Sequence, residues 1–123
     1  MIDNVRRENN KNARQFDSLL NLLDGDEEAL KAILATFIKD VPENISGIRV
    51  DCKNKNWVAA RKKAHQIKPF YGYAGDHDMV SLLDKWLLEF ENAAPSYDYQ
   101  DDLRQMELAT ETIISKLKLR FSL

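Results

Sequence analysis

The sequence predicts an all-α fold: an antiparallel four-helix bundle with a short extra N-terminal helix. Three observations lead there. Four long segments carry apolar residues at helical spacing. Leu, Ala, Lys, Glu and Asp dominate, only four Gly and three Pro occur, and strand-like alternation of Val, Ile and Thr is scarce. The joints between the segments are short, which sets successive helices beside one another. The 123 residues are the size of one domain.

Residues 1–14 are polar, with Asn9, Asn10, Lys11 and Asn12 in sequence, and read as a flexible start. Residues 15–123 read as a single domain. A short helix is expected over 15–23, with apolar surface from Phe16, Leu19, Leu20, Leu22 and Leu23. Asp24-Gly25-Asp26 stops it, Gly25 suiting a left-handed helix end and Asp26 capping the next helix. Glu27 and Glu28 then complement the dipole of that helix. Its stripe is Leu30, Ile33, Leu34, Phe37 and Ile38, resuming with Ile45, Ile48 and Val50 beyond Pro42, which should kink the helix or break it in two.

A polar stretch from Asp51 to Asn56 closes that segment, and Asn56 caps a helix starting at Trp57 and running to about Tyr71. Gly72 and Gly75 bracket a turn. Asp76 caps a further helix carrying Met79, Leu82, Leu83, Trp86, Leu87 and Phe90, which ends at Ala93-Ala94-Pro95-Ser96. The last helix, over roughly 98–119, carries Leu103, Met106, Ile113, Ile114 and Leu117.

Composition excludes several classes. A net charge of −2 and a pI near 5.7 leave no whole-domain basic field for nucleic acid. No apolar run reaches the roughly 18–20 residues that span a bilayer. Met1 to Arg7 lacks the apolar stretch of a signal peptide. The lone Cys52 has no internal disulfide partner and no paired base beside it. A cytoplasmic location is expected. A monomer is expected too, since no apolar stripe is left over.

The segment from Trp57 to Gly75 carries the chemistry. On a helix, Trp57, Ala60, Ala64, Ile67 and Tyr71 share one side, the expected core side. His65 points away from that stripe, to the solvent boundary. Arg61, Lys62 and Lys68 lie four back, three back and three ahead of it, the spacings of neighbours on a helix surface. Neutral imidazole is a nucleophile that carries covalent intermediates. Neighbouring cations disfavour a positive ring and attract a phosphoryl group. On composition alone, a His among Lys and Arg reads as a solvated face.

The wider pattern resembles the histidine-containing phosphotransfer (HPt) domain family: a His, a Lys three later and a Gly ten later, on a helix leading into a turn. His65, Lys68 and Gly75 occupy those positions, and Ala64 is the small residue before the His. Asp24-Gly25-Asp26-Glu27-Glu28 looks like the family's first helix junction, and Asn56-Trp57 like the start of its His helix. The likeness covers nearly the whole chain. It implies a carrier in a two-component phosphorelay, not an autonomous enzyme. His65 would be the phosphoacceptor and Lys68 would stabilise the phosphoryl group. Partners would be response-regulator receiver domains or a hybrid sensor histidine kinase, with neither nucleic acid nor membrane. The receiver would bring Mg²⁺, and this chain would hold no cofactor and no metal. Arg61, Lys62, Pro69 and Gly75 would form the docking surface.

One position departs from the family. Where Gly usually follows the His by one turn, this chain has Pro69. Pro69 either bends the helix and leaves His65 open, or partly closes the surface and marks an HPt-like module that binds a receiver or kinase without transfer. Phe70 fits either the core or the docking surface; Tyr71 fits the core.

Other residues read more plainly. His77, beside Asp76 and Asp78, suggests either a metal site or a capped helix start, and the capped start is favoured. Trp57 and Trp86 fall on apolar stripes, and Tyr97 and Tyr99 suit packing at the start of the last helix. Asp101, Asp102, Glu107 and Glu111 read as a solvated acidic face. Lys116, Lys118 and Arg120 complement the dipole of the last helix.

Overall fold

Capping residues set the helix limits. Asp26 Oδ1 accepts from the Ala29 N–H at 3.1 Å, Asn56 Oδ1 from Ala59 at 3.4 Å and Asp76 Oδ1 from Met79 at 3.2 Å. Each satisfies one of the donors that a helix start leaves open. The computed structural model describes residues 15–92 and 99–123. Among these residues all regular structure is helical: α1 (Asp17–Leu22), α2 (Glu27–Lys53), α3 (Trp57–Ala74), α4 (His77–Glu91) and α5 (Gln100–Phe121). The expected flexible start, the end of the fourth helix at Ala93 to Ser96, and Tyr97 lie outside the described residues.

The short α1 is anchored by Phe16. Its ring is fully buried against Phe70 and Tyr73, and its N–H donates to the Tyr73 carbonyl at 2.8 Å. Phe16 has φ 67°, a left-handed backbone that bulky residues seldom adopt. Burial of the ring offsets that strain.

Of the two outcomes open at Pro42, a kink or a break, the break is excluded, and the expected turn at Gly72 needs correction. Pro42 does not break α2, which runs as one helix of 27 residues. Pro42 is exposed and removes only the bond to the Ile38 carbonyl, while Val41 and Ile45 beside it stay buried. Gly72 does not belong to a turn. α3 continues to Ala74, because Phe70, Tyr71 and Ala74 are all buried and hold its last turns against the core. Gly75 alone ends the helix, at φ 72°.

The core follows the expected stripes with few changes. α2 buries Leu30, Leu34, Val41, Ile45 and Ile48, whereas Val50 is 56% exposed. Val50 lies two residues past Ile48 and so falls on the other side of the helix. α4 buries Met79, Leu83, Trp86 and Phe90; α5 buries Leu103, Met106, Thr110, Ile113, Leu117 and Phe121. α3 packs against both α2 and α4, α2 also packs against α5, and α1 lies on α2 and α3. The small Ala60 and Ala64, both fully buried, let α3 come close to its neighbours. Trp57, Trp86, Phe90 and Tyr99 form one aromatic group. Phe16, Phe37, Phe70, Tyr71 and Tyr73 form another.

Polar ties join the helices across the core and at its rim. Thr110 donates to the Met106 carbonyl at 2.6 Å, so the Tyr71 hydroxyl is the donor in its 2.7 Å bond to Thr110 Oγ1. Burial pushes the Tyr71 phenol well above its ordinary range. Lys63 Nζ reaches Asp51 Oδ2 at 2.6 Å by crossing Gly47, where a Cβ would lie 2.7 Å from Lys63 Cε. Glu107 is not on a solvated face: it is half-buried and pairs with Arg49, which also donates to Gln100 Oε1 at 2.6 Å. Arg120 pairs with Asp17 at 2.6 Å and so ties α5 to α1. No helix among the described residues is long and apolar enough to cross a membrane.

Candidate functional site

The face of α3 opposite its core stripe presents Val58, Lys62, His65, Pro69 and Gly72, all exposed. Steps of four and three residues put them in one line along the helix. His65 stands at its centre, as its spacing implied. An open groove of about 730 Å³ runs beside it, lined by Val58, Arg61, Lys62, His65, Gln66, Phe90 and Glu91. Phe90 and Glu91 reach it because α4 folds back along α3 after the Gly75–Asp76 turn. Trp57 stacks on Phe90 at 5.8 Å between ring centroids.

The three cations expected around His65 have different settings. Lys62 is exposed, and its side chain forms no ion pair or hydrogen bond with the other described residues. Arg61 is half-buried, and its Nε is shielded from solvent with no hydrogen-bond partner among the described residues. Lys68 turns towards α4, where its Nζ lies 2.5 Å from Asp84 Oδ1. Its charge is therefore already compensated, and it does not line the groove.

Pro69 sits inside α3 without ending it. Its missing N–H leaves the His65 carbonyl without the usual helical donor, and both residues are exposed, so solvent can reach that carbonyl. One turn further on, nothing lies within 4 Å of where a Gly72 Cβ would sit. The surface past Pro69 is thus open. Gly75 is not beside His65. Ten residues of helix separate them by about 15 Å, and its left-handed backbone explains why glycine ends the helix there.

Phe70 belongs to the core, with no exposed surface. His77 is the exposed first residue of α4. Among the described residues no three His, Cys, Asp or Glu side chains come together to hold a metal ion. The Cys52 thiol is pushed up to about 11, first by burial and then by the Asp51 charge. The thiolate needed for nucleophilic chemistry is therefore scarce at neutral pH.

Sequence reasoning missed Asp84 and the groove residues Val58, Gln66, Phe90 and Glu91. A signal for Asp84 existed. Lys68 lies seven residues before Gly75 and Asp84 eight after Asp76, so a helical hairpin closing at that turn brings them level. Chemically, the arrangement offers an exposed imidazole nucleophile beside an open groove, with two uncompensated cations to attract an anion. No known protein family, curated protein or solved structure gives a significant match to the chain.

Proposed function

We propose that this chain is a phosphorelay carrier built as an antiparallel four-helix bundle. His65 accepts a phosphoryl group from the phospho-aspartate of a receiver domain and passes it to another. The observation that carries the reading is the exposure of His65 at the middle of a continuous helix, beside a groove bearing Arg61 and Lys62. A ring nitrogen of neutral His65 attacks phosphorus, the bond from phosphorus to the acyl oxygen breaks, and the receiver's carboxylate leaves with that electron pair. The reverse step delivers the group to the next receiver. The receiver supplies Mg²⁺, and this chain supplies the nucleophile and the flanking charge. It acts as a monomeric cytoplasmic carrier, not as an enzyme. Its partners are receiver domains, free or within a hybrid sensor kinase.

A second reading is supported by Pro69 and Lys68. Pro69 projects from the face that a receiver would meet, and Lys68 is engaged by Asp84. Under that reading the chain binds a receiver or kinase without transfer. One experiment separates the two. The parent and its His65→Gln variant are incubated with phosphorylated receivers from the same genome, and acid-labile, base-stable phosphate is measured. Label on the parent alone supports the carrier. A receiver that binds the parent and leaves no label supports the binding module.

A further inference from the structure

We propose that Asp84 is a positioning residue for phosphoryl turnover at His65: by holding Lys68, it limits how strongly that cation stabilises the phosphohistidine. The inference rests on the carrier reading above. Of the three cations three or four residues from His65, Lys68 is the one with an ionic partner among the described residues; Lys63, two residues back, is held by Asp51 on another side of the helix. The two side chains of the pair are 38% and 52% exposed, so a group on the neighbouring turn can reach the ammonium. An ammonium has three donors. Bound to Asp84, it keeps donors for a phosphoryl oxygen on His65, one turn away.

Phosphorylation places a charge of about −1.5 to −2 on that turn. The new anion and Asp84 then share one cation, and the Asp84 carboxylate opposes the gain that Lys68 offers. The phosphohistidine is therefore held less tightly than it would be by a free lysine, and the group leaves more readily. For a carrier this is a useful balance, since a phosphoryl group bound too firmly is not passed on.

The test uses the full chain and phosphoramidate as a small-molecule donor, so that no receiver is involved. His65 nitrogen attacks the phosphorus, the P–N bond to the donor nitrogen breaks, and ammonia leaves. After the donor is removed, water attacks phosphorus and releases inorganic phosphate, and the loss is followed by ³¹P NMR. Asp84→Asn should slow that loss about three- to fivefold, the scale of an exposed ion pair. Asp84→Glu should restore the parent rate, and in a Lys68→Ala background the Asn effect should fall below about twofold. Far-UV circular dichroism checks that each variant is folded.

A parent that labels on His65 while Asp84→Asn loses phosphate at the parent rate or faster overturns the role of Asp84 alone. An Asn effect that persists undiminished without Lys68 overturns it as well, because Asp84 would then act directly. A parent that takes no label on His65 overturns the carrier reading and this inference together.

Discussion

Within α3, Ala60, Ala64, Ile67, Phe70, Tyr71 and Ala74 are buried, while Val58, Lys62, His65, Pro69 and Gly72 on the same turns are exposed. The two faces tolerate different things. The buried face is packed between α2 and α4 and closed at its C-terminal end by the ring of Phe16. It keeps the helix continuous through a proline that would otherwise end it. The exposed face bears no packing burden, so it can present a histidine, an uncompensated lysine and an unpaired carbonyl. A nucleophile is best carried this way, because the core holds the backbone under it.

The contrast can be broken most strongly at Phe70. Phe70→Ala removes a fully buried ring that meets Phe16, Phe37 and Tyr71. It should cost about 3–5 kcal/mol in urea or thermal unfolding. Ala64→Leu should cost about 1–3 kcal/mol by overpacking, although its neighbour in sequence is the exposed His65. A Leu accepted there without loss of stability would mean that the two faces are less distinct than the packing implies. Tyr71→Phe keeps the ring and removes the hydroxyl that donates to Thr110, for a loss of about 1 kcal/mol. On the other face, His65→Gln should leave Tm within about 2 °C of the parent while removing any phosphoryl acceptance. A large drop in Tm for that variant would show that His65 supports the fold.

Much of this contrast was legible in advance, for reasons that differ from residue to residue. The core side of α3 was readable because one helical period relates Ala60, Ala64, Ile67 and Tyr71. The exposure of His65 followed from the same geometry. Phe70 was ambiguous, because it sits between the stripe and the boundary; the approach of Phe16 from α1 covers it. Lys68 looked like a free cation beside His65, because i, i+3 spacing speaks only of its own helix. Glu107 looked solvated for the same reason, until Arg49 of α2 met it.

The amino-acid sequence by itself determined the helical class, the capped starts at Asp26, Asn56 and Asp76, and the side of α3 on which His65 stands. These depend on contacts within about four residues and on a fixed rotation per residue. Only the tertiary structure decided that Asp84 takes Lys68, that Phe90 and Glu91 complete the groove at His65, and that Phe70 is core. Those outcomes depend on how neighbouring helices are set against each other. That setting is a property of the packed core as a whole, and no local pattern carries it.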